Sequence, residues 1–293
     1  MKVLLINIDS TIPNVALKKI EQYHTERGDE VIWDLPLWKH LADKIYVSCV
    51  FTWNKDKCKE WEGIAEIGGS GYDVKKVLPA EIELQKPKIN IGFTTRGCIR
   101  KCQFCIVKDK EGKLVAVGDI YDFWDGQSKE IELLDNNILG LPAHFEKIWG
   151  QIRKEGLTVR ENGLDIRLLN DWNAKILSSV KHKEYHFAYD NVGDKPAVEK
   201  GIETLLRNGI HKSTFYVLVG FNTTFTQDLE RLNFLREKGQ NAYVMRMRGC
   251  VKEKKYIALN MWANCHAAFN AMSFEQWCKT PDHKCYKDCY LET

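Results

Sequence analysis

The sequence has no long apolar run, no repeat and no low-complexity tract, and its charges nearly balance. No segment approaches the roughly 20 apolar residues that a membrane-spanning helix needs, so we expect no membrane association. The net charge is +3, which neither requires nor excludes a nucleic-acid partner. The apolar stretch at residues 3–8 is short and has no cleavage site after it, so it does not predict a signal peptide.

The chain is 293 residues long, enough for one large domain or two smaller ones with a sizeable core. It contains 10 cysteines, scattered along the sequence. Because free thiols persist in reducing compartments, we expect a cytoplasmic protein.

Three cysteines lie close together within residues 96–105, which read RGCIRKCQFC. Cys98, Cys102 and Cys105 have the spacing C-x3-C-x2-C. Neighbouring thiols in this run are separated by only about 10–14 Å of fully extended chain, so they could bind one compact group. Iron–sulfur cubanes are held by Cys thiolates, normally four. Three ligands leave one iron open, and an open position marks a reactive metal site rather than a structural one.

Disulfides and a zinc site are the other interpretations of these cysteines. Disulfides among three cysteines leave one over. A zinc site needs a fourth ligand, and no His or further Cys lies close on either side. Residues 88–94, just before the motif, predict a buried strand, and parallel α/β barrels place their chemistry at the carboxyl ends of strands. The pattern therefore favours an iron–sulfur cluster.

The motif, with Phe104 just before the last cysteine, resembles that of the radical SAM superfamily. In that family the three cysteines hold a [4Fe–4S] cluster, and S-adenosylmethionine chelates the fourth iron. The resemblance implies that Phe104 lies against the adenine of this cofactor. It also implies reductive cleavage to methionine and a 5′-deoxyadenosyl radical, which abstracts hydrogen from a substrate. An electron donor such as flavodoxin or ferredoxin is implied as a partner, but the substrate is not.

Residues 1–85 alternate short strands and helices, which predicts a small parallel Rossmann-like domain. Residues 67–72 read IGGSGY, a glycine loop at a strand end or an ordinary turn. This layout resembles the cobalamin-binding domain of many radical SAM proteins. Members that ligate cobalt through histidine carry D-x-H-x-x-G after the first strand, whereas this chain has Asp9 followed by no histidine up to Asn14. We therefore expect a reduced domain that no longer binds cobalamin.

Residues 86–250 predict six strands separated by helices. This pattern matches the partial (β/α)6 barrel of the radical SAM family, an incomplete relative of the TIM barrel. The predicted strands cover residues 88–94, 130–134, 163–169, 184–190, 214–221 and 241–247. Polar residues at the carboxyl ends of these strands are the candidates for the site.

Asp135, with Asn136 and Asn137 beside it, occupies the place where the family contacts the methionine amine. Asp165 and Arg167 are two residues apart on the predicted third strand and would face the same side. Arg167 could pair with the methionine carboxylate through its planar fork, or the two residues could form a structural ion pair.

Two further strand ends supply candidates. Gly220 lies where the family shapes its adenine pocket with backbone, and glycine there allows a ligand to approach closely. It could also simply start a turn. Tyr189 and Asp190 end the fourth predicted strand and could face a substrate or begin a solvated loop.

The C-terminal extension, residues 251–293, is rich in cysteine. Some radical SAM enzymes carry a second cluster in such an extension, and a zinc site or no metal at all are the alternatives. Four of the five thiols of Cys250, Cys265, Cys278, Cys285 and Cys289 could hold such a cluster. A zinc site could use Cys278, Cys285 and Cys289 with either His283 or Cys265.

Two other functions remain open on the sequence alone. One is methyl or methylthio transfer of the radical SAM type. Methylthiotransferases bind another cluster through three N-terminal cysteines, whereas only Cys49 and Cys58 precede Cys98 here. We expect Cys49, in an apolar strand, to belong to the core. The other is a non-catalytic iron–sulfur or zinc protein that binds a partner.

Overall fold

A computed structural model describes residues 1–291. The protein is mixed α/β with mainly parallel strand pairing. Its contacts divide it into two units, Met1–Leu134 and the residues from Asp135 onward. The three-domain division predicted from the sequence, with boundaries near residues 85 and 250, stays a prediction.

Thirteen strands lie in the described part of the chain: β1 Lys2–Asn7, β2 Glu30–Trp33, β3 Lys44–Ser48, β4 Glu66–Gly68, β5 Ile91–Gly92, β6 Thr95–Arg96, β7 Val115–Ala116, β8 Glu130–Leu133, β9 Thr158–Glu161, β10 Lys181–His182, β11 His186–Ala188, β12 Thr214–Val219 and β13 Asn241–Arg246.

The α-helices within residues 1–291 are α1 Val15–Glu26, α2 Ala80–Glu83, α3 Val107–Lys110, α4 Pro142–Glu155, α5 Asp171–Ser178, α6 Lys195–Arg207, α7 Phe225–Glu237, α8 Lys254–Asn264, α9 His266–Ala271 and α10 Phe274–Cys278. None of these helices combines the length and the apolar character that crossing a lipid bilayer demands.

The first unit begins with a parallel sheet of order β2-β1-β3-β4. Side chains alternate along β1, so Val3 and Leu5 pack with α1 on one face, whereas Leu4 and Ile6 pack with Trp61 on the other. A sheet buried on both faces produces the nearly continuous apolar run that the sequence shows there. The predicted parallel α/β character of this region is confirmed.

The strand predicted at residues 88–94 is much shorter than expected. Only β5 forms, and it pairs in parallel with β8. Asn90 adopts a left-handed conformation with φ of 62°, and its side-chain amide donates to Asp125 at 2.8 Å. Side-chain bonding of this kind offers the backbone an alternative to a strand, and it explains why the strand begins only at Ile91.

The second unit contains the parallel set β11-β12-β13 and the parallel pair β9–β10. Strands β12 and β13 lie within two of the predicted strands, and β11 lies within a third, so these predictions are confirmed. The core of this unit includes Phe187, Phe215 and Val217 from the strands and Leu232 and Leu235 from α7.

The prediction of a strand at residues 163–169 is wrong. Residues Ile166–Leu168 form a short 3-10 helix, and Asp165 caps it by accepting the backbone N–H of Arg167 at 3.2 Å. The strand in this part of the chain is β9, a few residues earlier. Asp165 and Arg167 therefore do not share one face of a strand.

Candidate functional site

The three motif cysteines lie between β6 and α3, on residues 97–106, which we call the cluster loop. Cys98, Cys102 and Cys105 are each partly exposed. They are therefore within reach of a ligand from solvent, in contrast to Cys49 and Cys58, which are buried in the core of the first unit. The predicted core position of Cys49 is confirmed.

Glu111 fixes the beginning of the cluster loop. One of its carboxylate oxygens accepts from the guanidinium of Arg96 at 2.9 Å, and the other accepts from the backbone N–H of Gly97 at 2.8 Å. The backbone N–H of Cys98 donates to the carbonyl of Gly112 at 3.3 Å. The chain after α3 thus returns to the first cysteine and supports it through charge-assisted and backbone hydrogen bonds.

The sulfur environment suits an iron–sulfur cluster. The backbone N–H of Arg100 donates to Sγ of Cys98 at 3.3 Å, and hydrogen bonds to sulfur are one of the factors that set a cluster's reduction potential. Cys102 and Cys105 are joined by a tight turn, in which the backbone N–H of Cys105 donates to the carbonyl of Cys102 at 3.2 Å. The loop offers three thiols with no carboxylate or imidazole between them, and thiolates are the ligands that such clusters use.

A single metal ion makes a different geometric demand. Zinc collects its ligands at about 2.0–2.3 Å, so they must converge on one point, whereas a cubane spreads its thiolates over separate irons. In the chain from residue 1 to 291, no three His, Cys, Asp or Glu side chains converge in that way. Phe104 is partly buried in this loop, and its contact with adenine stays a prediction.

Lys110, the last residue of α3, connects the chain beyond the cluster loop to the N-terminal sheet. Its ammonium donates to the hydroxyl of Ser70, within the glycine loop at residues 67–72. Burial and, secondarily, the positive charge of Arg96 lower the pKa of Lys110. The glycine loop is therefore joined by a hydrogen bond, within the first unit, to the helix that follows the cluster loop.

The carboxyl edge of the N-terminal sheet is closed by the chain itself. The carboxylate of Asp9 accepts the backbone N–H groups of Val50 at 2.8 Å and Phe51 at 2.9 Å. A Cβ at Gly69 or Gly71 would collide with the backbone of Cys49 or Phe51. These glycines let two backbone segments approach closely. The expectation that this domain does not bind cobalamin stays a prediction.

In the second unit, Arg167 lies between two carboxylates. Its Nε donates to Asp165 at 2.7 Å, and a terminal nitrogen donates to Asp194 at 3.1 Å. The amide of Asn137 donates to Asp165 at 3.3 Å. The structural ion pair considered from the sequence is thus formed within this unit. The predicted contact of Arg167 with a methionine carboxylate, like that of the buried Asp135 with the amine, stays a prediction.

The ends of β11 and β12 are joined by a buried ion pair on α7. Arg231 donates to Asp228 at 2.6 Å, to the carbonyl of Tyr189 at 2.6 Å and to the carbonyl of Leu218 at 2.7 Å. Asp228 also accepts the backbone N–H of Gly220 at 2.8 Å. The predicted site residues Tyr189 and Gly220 are therefore fixed to the same two side chains.

Asp190 follows Tyr189 and is also held at this edge. One of its carboxylate oxygens accepts the backbone N–H of Leu218 at 3.1 Å. Burial raises the pKa of Asp190, against the opposing effect of that hydrogen bond and of the Arg231 and Arg167 charges. The prediction that Asp190 faces a substrate stays open.

Gly220 lines an open cavity of about 560 Å³ in the second unit. Thr223 and Thr224, just before α7, also line the cavity, together with Lys255 and Tyr256 of α8. Gly220 has a φ of 73°, and the space that a Cβ would fill is taken by Sγ of Cys250, 2.5 Å from that position. Glycine is thus required here because Cys250 of the same chain approaches closely.

The C-terminal cysteines differ in environment. Cys278 and Cys289 are buried, whereas Cys265 and Cys285 are exposed. Burial, followed by the neighbouring Cys289, raises the pKa of Cys278 to about 12. His283 stacks on Trp277 with ring centroids 3.7 Å apart, and its Nδ1 lies 2.7 Å from the hydroxyl of Thr280. A second cluster or zinc at these cysteines stays a prediction.

Asp228 and Arg231 were not among the site residues predicted from the sequence. The signal was available, because the two charges are three residues apart on a helix whose Phe225, Leu232 and Leu235 are buried. A charged pair on an apolar helix face predicts a buried ion pair that needs partners.

No protein family model matches this chain, and no curated protein is significantly similar to it.

Proposed function

We propose that the chain is a radical SAM enzyme. Cys98, Cys102 and Cys105 would hold a [4Fe–4S] cluster, and S-adenosylmethionine would bind its fourth iron. With one electron from an external donor such as flavodoxin or ferredoxin, these groups would supply the reductive cleavage of S-adenosylmethionine to methionine and a 5′-deoxyadenosyl radical, which would take a hydrogen atom from the substrate. The proposal rests chiefly on the cluster loop, which presents three partly exposed thiols from one segment whose start is fixed by Glu111.

The chain's own residues would bind and orient these groups. Glu111 and Gly112 hold the segment before the first thiol, and the N–H of Arg100 stabilises negative charge on the sulfur of Cys98. In the second unit, Asp228 and Arg231 hold the backbone at Gly220, beside a cavity with polar lining. A partial barrel of six strands remains part of this proposal, beyond the parallel α/β fold described above.

The test is anaerobic reconstitution with iron and sulfide, followed by incubation with S-adenosylmethionine and dithionite. We expect about four iron atoms per chain for one cubane and release of 5′-deoxyadenosine. Replacing Cys98, Cys102 and Cys105 together by alanine should abolish both.

Cys58→Ala is the matched control, because it removes a buried thiol from the core of the first unit and should keep the iron. A wild-type protein that takes up no iron, or a triple variant that takes up as much as the wild type, would refute the proposal. Iron without deoxyadenosine would favour a non-catalytic iron–sulfur protein. More than about four irons would point to a second cluster.

A further inference from the structure

The glycine loop of the first unit is held firmly by its own sheet. The backbone N–H of Gly71 donates to the carbonyl of Cys49 at 2.9 Å, and the contacts at Gly69 and Gly71 leave no room for a Cβ. Asp9 anchors the facing segment through Val50 and Phe51. Ser70 is therefore presented from a fixed piece of backbone.

Lys110 is the residue that donates a hydrogen bond to the hydroxyl of Ser70. Within residues 1–291, the ammonium of Lys110 makes one hydrogen bond, to Ser70. No carboxylate of this part of the chain lies within ion-pair distance of the ammonium. The side chain is partly buried. A partly buried ammonium keeps its few partners, because losing one leaves a charged donor without compensation.

The position of Lys110 in the chain extends this contact to the cluster loop. Lys110 precedes Glu111, whose carboxylate holds Arg96 and Gly97, and Gly112, whose carbonyl accepts from Cys98. Residues 110–112 therefore connect the glycine loop on one side to the backbone of the first cysteine on the other.

We infer that the N-terminal sheet positions the cluster loop, and that Ser70 and Lys110 are the positioning residues that connect the two. This inference rests on the proposed function, because it assigns a role in holding the cluster. In this role the glycine loop supports the metal site. Partners outside the ligand shell are known to change metal affinity by about 10–100-fold when they are removed.

The experiment measures the rate at which reconstituted full-length protein releases iron to a chelator under anaerobic conditions, together with the electron paramagnetic resonance spectrum of the reduced protein. We expect Ser70→Ala and Lys110→Met each to release iron about 10-fold faster than the wild type and to alter the spectrum. Ser70→Thr, which keeps a hydroxyl, should restore both properties. The double variant should be no faster than either single variant, because both substitutions remove one contact.

Lys108→Met is the matched control, because Lys108 is an exposed lysine in the same helix. It should leave the release rate and the spectrum unchanged. Thermal unfolding of the metal-free proteins checks that every variant folds. Wild-type release rates and spectra in both single variants would overturn the inference while leaving the proposed function intact. An effect of Lys110→Met without one of Ser70→Ala would also overturn it. If the wild type binds no iron, the proposed function itself fails.

Discussion

Arg231 donates to the carboxylate of Asp228 at 2.6 Å, and both side chains are almost completely excluded from solvent. Removing one member of a buried ion pair leaves an uncompensated charge. We expect Arg231→Met to lower the free energy of unfolding by about 3–5 kcal/mol, measured by urea denaturation. The exposed pair of Arg207 and Asp171 provides the control, and Arg207→Met should cost much less. Equal losses in the two variants would contradict the structural role of the buried pair.

Gly220 supports a second prediction, because two features there exclude a side chain. Gly220→Ala would combine a φ of 73° with a Cβ 2.5 Å from Sγ of Cys250. Gly209 has a φ of 80° and no atom within 4 Å of its Cβ position, so Gly209→Ala isolates the backbone cost, about 1–2 kcal/mol. We expect Gly220→Ala to cost about 1–3 kcal/mol more, as overpacking does.

A double substitution can show that the additional loss of stability in Gly220→Ala is caused by Cys250. Adding Cys250→Ala to Gly220→Ala removes the 2.5 Å contact with Sγ, leaves a 3.1 Å contact with the Cβ of residue 250, and keeps the left-handed backbone. The interaction free energy from urea denaturation should then be favourable. Additive losses in the double variant would show that Cys250 does not exclude the side chain.

Asp190 makes the stability of the protein depend on pH. Its pKa is raised above the ordinary 3.8, chiefly by burial, so the folded state prefers the neutral carboxyl. The stability that this group contributes is present below pH 3.8 and is lost as the pH rises through the raised pKa. Asp190→Asn removes this dependence, while its amide oxygen can still accept from Leu218. The variant should therefore gain stability relative to the wild type between about pH 4 and pH 7.

Asp125 provides a control for that experiment, because its contribution to stability should change with pH in the opposite direction. Hydrogen bonds, first from Asn90 and then from the backbone of Ser128 and Gln127, lower its pKa. Its contribution is present above the ordinary pKa and is lost as the pH falls. Asp125→Asn should lose stability relative to the wild type as the pH rises. The same trend in both variants, measured by urea denaturation, would contradict the assignment for Asp190.

The C-terminal thiols should differ strongly in reactivity. Burial raises the pKa of Cys278 to about 12, and the thiolate is the form that reacts with iodoacetamide. In metal-free protein at pH 8, we expect the exposed Cys265 and Cys285 to be alkylated before Cys278, as mapped by mass spectrometry. Protection of Cys285 that a chelator removes would support a metal at this extension. Equal labelling of Cys278 and Cys285 would contradict the structure.

The fold was predictable where a strand carries a run of apolar residues. Such runs occur in β1 and β12, which are largely buried on both faces, and in β13, which buries Ala242 and Val244 but exposes Tyr243 and Met245. The sequence predicted all three strands within one or two residues. The sequence failed at β9, Thr158–Glu161, because its inward-facing Glu161 is polar. That carboxylate is satisfied by His182 at 3.0 Å and by the backbone N–H of His186 at 2.9 Å, partners that are distant along the chain.

The candidate site, too, could be predicted from the sequence only where its residues are close together along the chain. The motif cysteines are neighbours in sequence, so their spacing could be read directly. The contacts of Lys110 with Ser70 and of Asp228 with Gly220 join segments that the fold brings together. Local pattern predicts neither, because hydroxyl and ammonium groups on loops are common and their partners depend on tertiary structure.

The two aspartates around Arg167 restrict what else can reach its guanidinium. The bonds to these aspartates use three of the five guanidinium N–H groups, on Nε and on both terminal nitrogens. A third carboxylate brought to Arg167 would meet the like charge of Asp165 and Asp194 at close range. An acidic ligand that displaces one aspartate avoids this repulsion, because one anion then replaces another and the local charge hardly changes.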